Sequence, residues 1–337
     1  MQMSKAGAVF VQTNAAHNEV IGFTRSAEGA LHEMGRYATG GAGDGVAHLT
    51  SQGAVTLTRD GNHLLVTNAA SNDVSVFAVQ DMGLELTKTV PAGTAPKSIT
   101  EHGGIVFVLA TGDATINGFR LVDGDLVPAG SWPLSTADGA QVGFSPEGRT
   151  IIVTERGADM LSSWVVGSDG RLGARRTIAS SGPTPYGFAI STDGTLVVTE
   201  AFGAQKGAAA ASSYRIGGDT LTPVTASVGN GRSEICWAVI TDDGRYAFTT
   251  NFADGAVSRY AIGMDGSLTL EDATAGITAD GRPGLRDEDL SGDGRFLYAL
   301  DTDQGQIAGW AVASDGTLTS IGTWGGLPPT IAGLAAV

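Results

Sequence analysis

The feature that most constrains this chain is a turn that returns at a nearly fixed interval. One series of Gly-containing turns sits at Asp60-Gly61, Gly103-Gly104, Glu147-Gly148, Asp193-Gly194, Asp243-Gly244 and Asp293-Gly294. A second sits at Glu28-Gly29, Met82-Gly83, Asp123-Gly124, Asp169-Gly170, Gly217-Gly218, Asp265-Gly266 and Asp315-Gly316. Both return at intervals of roughly 40–55 residues, the range in which propeller blades repeat. Asp-Gly closes hairpins because its backbone tolerates positive φ. The fifty glycines suit a chain built of turns, and they show no collagen-like period.

Each copy between these turns has the same anatomy. In residues 139–166, Ala140–Ser145 leads to the turn at Glu147-Gly148, then to Thr150–Thr154, a short loop, and Leu161–Val166. The β-branched and aromatic content and the segment lengths are strand signals. A second strand ends at Asn14, Asn68, Thr111, Glu155, Glu200, Asn251 or Asp301, and a third carries an aromatic residue, as in VSVF, LSSW and IAGW. Counting gives seven units. The first lacks an inner strand, and Thr330–Val337 is a spare strand without a unit.

Pairing the two closes a ring and removes the open ends that a solenoid must cap. The expected fold is therefore all-β: a seven-bladed β-propeller of four-stranded antiparallel blades in one domain spanning 1–337. The expected blades are 8–40 with 330–337, then 53–93, 96–135, 139–182, 185–231, 236–276 and 287–325. Three segments exceed the repeat: Gly40–Ser51, Gly203–Ala211 and Gly276–Arg286. Long loops on one face of a repeat protein are candidate binding elements.

Composition excludes several classes. A net charge of −15 argues against nucleic acid, whose phosphates need a basic footprint. An anionic substrate needs local Arg or Lys to override the global field. The single Cys236 leaves no internal disulfide or CxxC metal site and reads as a small buried residue. No apolar run approaches a membrane span, and the N-terminus lacks an export signal. A soluble cytoplasmic monomer is expected; an exported protein with its signal removed is the alternative. No GxGxxG, P-loop, HExxH or GxSxG phrase occurs, and neither a cofactor nor a metal is expected.

In a propeller, the loop leading into each inner strand and the loop after each second strand emerge on one face, around one mouth of the central channel. Converging polar groups in such a concavity are the default ligand site. Glu155 and Glu200 take equivalent positions on neighbouring blades, and two nearby carboxylates can split their pKa values into an acid and a base. Arg156 suits a substrate carboxylate or an oxyanion. Tyr186, Gln141 and Lys97 are hydrogen-bond donors. Gln52, Asn68, Asn251, Trp237 and Phe202 complete the expected lining. Asp287, Glu288 and Asp289 alternate faces along a strand, which speaks against one shared ion and for a salt-bridge cluster with Arg282 and Arg286.

The phrases SPEGRTIIVTE, TDDGRYAFTTN and SGDGRFLYALD resemble those of the lactonase-type seven-bladed propellers, a group that includes 6-phosphogluconolactonases and carboxymuconate-lactonizing enzymes. The resemblance runs from Val9 to the closing strand. It implies opening or closing of a lactone ring at the channel mouth, without a required metal, by His, Glu and Arg side chains. The Pro-His pair frequent in that group is replaced here by Pro96-Lys97, Gly139-Ala140-Gln141, Pro185-Tyr186 and Cys236-Trp237. Of the five histidines, His17 and His48 alone are placed to reach the mouth. The expected function is a lactonase-like hydrolase using carboxylate acid–base chemistry on a small lactone. A lyase or isomerase acting on an unsaturated acid, and a non-catalytic propeller binding a ligand or protein, are the alternatives.

Overall fold

The computed structural model describes residues 7–47, 49–81, 83–278 and 281–337. They form seven four-stranded antiparallel sheets. Blades 2 to 7 each use four consecutive strands, and their inner strands are Val55–Leu57, Pro96–His102, Gly139–Phe144, Pro185–Ile190, Ile235–Ile240 and Leu285–Leu290. Blade 1 takes its inner strand, Ala332–Ala336, from the C-terminus; that strand pairs with Ala8–Gln12 through Val9↔Ala336, Phe10↔Ala335 and Val11↔Leu334. Backbone bonds between Val337 and residues 7 and 8 finish the seam, as the spare strand implied.

The second strand of each blade is the most apolar because both of its faces meet a neighbouring blade. Thr150–Glu155 is buried at every position, whereas the outer strand Leu31–Ala38 is mostly open on one side. Alternation divides the load: Ile151 and Val153 pack on Phe107, Leu109 and Ile116 of blade 3, while Ile152 packs on Phe188, Leu196 and Val198 of blade 5. Each such side chain contributes about 1.5–3 kcal/mol by leaving water.

The recurring Ser/Thr-x-Asp-Gly phrase is turn chemistry. The hydroxyls of Thr58, Ser191, Thr241 and Ser291 donate to the carboxylates of Asp60, Asp193, Asp243 and Asp293. The same carboxylates accept backbone N–H groups two residues on, as from Asn62 and Arg245. At Gly148, φ is +72° and a Cβ would lie 2.2 Å from His102 Nδ1, so both conformation and space demand glycine.

Candidate active site

One backbone bond recurs on five blades and fixes the geometry of the mouth. The N–H that follows the second strand donates to the carbonyl that precedes the inner strand: Thr111 to Ala95, Arg156 to Asp138, Ala201 to Thr184, Phe252 to Glu234 and Thr302 to Gly284. The two loop sets therefore share one face.

Immediately inside, each inner strand departs from its ladder. Pro96, Gly139, Pro185, Ile235 and Leu285 pair with the last residue of the second strand, and the register shifts directly after them. Such bulges re-aim side chains. The re-aimed residues are Lys97, Ala140, Tyr186, Cys236 and Arg286. Aligning the copies on their strand-end residues gives this column from sequence. It also corrects one expectation: Ile235-Cys236, not Cys236-Trp237, matches Pro96-Lys97.

These residues and those after the second strands build a cationic cup. The Arg156 guanidinium pairs with the Asp138 carboxylate and lies over the Tyr186 ring at 4.7 Å. Tyr186 in turn packs edge-on against Trp237, with centroids 5.6 Å apart. Arg286 stacks on Phe252 at 3.8 Å. The Nε atoms of Arg156 and Arg286 are buried without a hydrogen-bond partner. Burial lowers the pKa of Arg286 to about 10, against the opposing charges of Asp287 and Asp303. Burial, and then the nearby Arg156, lower Lys97, while Asp44 and Asp138 oppose the shift. Burial drives the Tyr186 phenol and the Cys236 thiol upward, so both keep their protons at neutral pH.

A strap closes the channel beneath this cup. Leu49 anchors it among Ala54, Ala69 and Ala332. The Trp237 indole N–H donates to the Ser51 carbonyl, and the Gln52 amide crosses from blade 2 to bond both the carbonyl and the N–H of Ala238 on blade 6. Gln141 treats Phe188 in the same way. Both glutamines thus cover free edges of inner strands rather than presenting their amides to a ligand. Below the strap, a cavity of about 500 Å³ runs past Thr56, Phe144 and Asp287 to Arg59 near the opposite face.

The structure does not bring Glu155 and Glu200 together as an acid–base pair. Both are fully buried. Glu155 accepts from the Ser135 N–H at 2.7 Å, from the Ser162 hydroxyl and from Arg175. Glu200 accepts from the Gly182 N–H at 2.8 Å, from the Ser212 hydroxyl at 2.6 Å and from Ser227. Asn68 and Asn251 are also buried, bonded to Ser75 and Ser258. A strand-end acid or amide seven residues before a serine is thus a blade clasp, and the insertion in blade 5 lengthens that spacing. This spacing was readable in the sequence. Phe202 follows the mouth column by one residue, and its φ is +49°. His17 is exposed in a blade 1 loop; His48 lies outside the described residues.

The acids of blade 7 depart from the salt-bridge expectation. Among the described residues no ion pair joins Arg282 or Arg286 to them. Asp289 accepts from the N–H groups of Leu290 and Ala336. Neither Glu288 oxygen, nor Oδ2 of Asp287, has a well-formed hydrogen bond. Burial raises Asp287 to about 7, with the Gly333 backbone and Arg286 opposing, and raises Glu288 well above the usual carboxylate range. Among the described residues no cluster of His, Cys, Asp and Glu is placed to hold a metal ion.

A folded-state pKa above the unfolded value of about 3.9 means that folding favours the protonated carboxyl. The contribution of Asp287 is complete below pH 4, declines as pH rises toward 7, and is lost above it. Asp287→Asn is expected to flatten this decline, by about 4 kcal/mol at most. Urea midpoints at pH 5 and 8.5 test it; parallel pH dependence in the two proteins contradicts the assignment.

A closed ring of seven four-stranded antiparallel blades defines a seven-bladed β-propeller. The family model described as "Lactonase, 7-bladed beta-propeller" matches residues 1–126 and 120–207, and the chain belongs to that family. Solved structures share the fold over the whole chain. A Bacteroides fragilis protein with a proposed 6-phosphogluconolactonase assignment is 16% identical at a TM-score of 0.76, covering 100% of this chain and 99% of its own. The periplasmic gluconolactonase of Pseudomonas aeruginosa is 16% identical at a TM-score of 0.75, with 98% of each chain covered. A chain of the mitotic checkpoint complex is 13% identical at 0.68, covering 92% and 88%. No curated protein matches the sequence. At these identities the structural likeness establishes the fold, which hosts unrelated functions.

Proposed function

We propose that this chain is a lactone-opening hydrolase whose substrate carries a negative charge and binds in the cup. The observation behind this reading is the gathering of Lys97, Arg156 and Arg286 at one mouth of a protein with a net charge of −15, within a lactonase family. The Arg156 guanidinium, steadied by Asp138 and the Tyr186 ring, suits the oxyanion that forms as water adds to the lactone carbonyl. The protonated Tyr186 phenol is a further donor. Arg286, held by Phe252, suits the substrate's own anionic group.

Proton release in a pH-stat, with δ-gluconolactone and an analogue bearing a carboxylate or phosphate, tests the proposal. The charged lactone is expected to show a kcat/KM at least about 10-fold higher, the value of one charge-assisted contact. That advantage should shrink with salt. Rates equal to spontaneous hydrolysis for both would overturn the reading in favour of a non-catalytic propeller. Incorporation of solvent deuterium at carbon without hydrolysis would instead mark a lyase or isomerase.

A further inference from the structure

We propose that the central channel below the strap is a second binding site, and that it takes a small organic cation, an ammonium group on an apolar body. The site stands independently of the lactone-opening reading, because the strap of Ser51 and Gln52 separates it from the cup. Its first support is space. The cavity of about 500 Å³ lies within the roughly 300–1,000 Å³ of small-molecule sites. An adjoining space of about 320 Å³ shares Gln52, Phe188 and Asp289 with it.

The second support is a set of buried acids that lack partners. Among the described residues lining the cavity, Asp287, Glu288 and Asp289 are acidic, and Arg59 alone is basic. Asp287 and Asp289 both turn toward the blade 1 inner strand, the first beside the Gly333 backbone, the second accepting from the Ala336 N–H at 2.9 Å. Asp287 and Glu288 are each 3% exposed, yet Asp287 Oδ2 and both oxygens of Glu288 have no hydrogen-bond partner. A carboxyl buried in this way has lost its hydration without replacement, and a cation entering the cavity supplies what is missing.

Nothing else in the described structure supplies it. Arg286, which acts on Asp287, is stacked on Phe252 at 3.8 Å and pairs with none of these acids. Burial raises Asp287 and Asp289 to about 7, so protons stand in for the absent cation. The net charge of −15 draws cations toward the channel.

The walls select the kind of cation. A bare metal ion needs several oxygens converging on one point, and among the described residues no cluster is placed to hold one. An ammonium group instead donates up to three hydrogen bonds to separate oxygens. Its apolar body would lie against Val142, Phe144, Ile190 and Leu334, which share the cavity wall with the acids. Entry is from the face opposite the cup, past Arg59, whose guanidinium donates to the Pro146 carbonyl at 2.9 Å.

Calorimetry with hexylamine and its neutral analogue 1-hexanol, in phosphate buffer at about 0.15 M ionic strength to screen surface charge, tests the proposal. Hexylammonium is expected to occupy one site per chain and to bind about 10-fold or more tighter than 1-hexanol. Asp289→Asn keeps an oxygen for the Ala336 N–H and is expected to bring the two ligands within about threefold. Arg59→Ala, at the exposed entrance, leaves the acids untouched; it is expected to tighten hexylammonium by about threefold and leave 1-hexanol unchanged. Equal wild-type affinities for the two ligands would reduce the channel to an apolar cavity and overturn the proposal. So would non-saturating binding of hexylammonium, which marks adsorption to an acidic surface, or its displacement by an equimolar amount of Ca²⁺, which marks a metal site. An Arg59→Ala protein with wild-type affinity for both ligands would place the amine outside the channel.

Discussion

Deleting Thr330–Val337 is expected to unfold the ring rather than trim its end. The segment supplies the inner strand of blade 1 and buries Ile331, Ala332, Leu334, Ala335 and Ala336. Ile331 and Leu334 pack with Val9, Val11 and Ile21 of blade 1 and Leu300 of blade 7, and Ala335 packs with Phe10 of blade 1 and Leu64 and Val66 of blade 2. Two large aliphatic side chains and a strand's worth of ladder bonds are worth about 5 kcal/mol or more, a large share of a normal folding free energy. The truncated chain also exposes the edge of Ala8–Gln12, which invites pairing with other chains. Urea denaturation and light scattering of the truncated chain measure both effects. A midpoint within about 0.3 M of the full-length protein would show that closure adds little.

The second large effect separates two adjacent residues. Glu155→Ala is expected to cost about 3 kcal/mol of stability, because it strands Arg175, the Ser162 hydroxyl and the Ser135 N–H around an empty place. Arg156→Ala is expected to cost less than about 1 kcal/mol, since its partner Asp138 is half exposed. Its loss should appear in turnover instead, by about 10²–10³-fold in kcat on a charged lactone. Denaturation midpoints and initial rates on the same two proteins distinguish the roles. If Glu155→Ala kept full stability and lost turnover, the buried-clasp assignment would be wrong.

The contrast shows how position along a strand becomes function. Glu155 is the last residue of the ladder, pairing with Met160 on one side and Gly139 on the other, so its side chain enters the seam between blades. Arg156 begins a short 3-10 turn, Arg156–Ala158, where the chain leaves the sheet and its side chain rises to the mouth. One step along the backbone exchanges a stability residue for a candidate catalytic one. The same logic separates Glu200 from Ala201 and Asn251 from Phe252 on the next two blades.

The sequence by itself determined the architecture. Turn residues at a fixed interval, strands of matching length and a spare C-terminal strand admit one closed arrangement of seven blades, because each unit can bury its faces only against a neighbour. It also placed Lys97, Arg156 and Tyr186 on one common face, since strand direction alternates with each turn. Tertiary structure decided which polar residues at that face are free. Glu155, Glu200, Asn68 and Asn251 look like ligands of a substrate when read singly. They are claimed by serines and an arginine of their own blades, and by Asn230 and backbone N–H groups of the segments that lead into those blades. The residues that remain, among them Asp138, Phe252 and Arg286, gain their roles from bulges and cross-blade stacking. Such pairings join residues distant in sequence, and no local pattern encodes them.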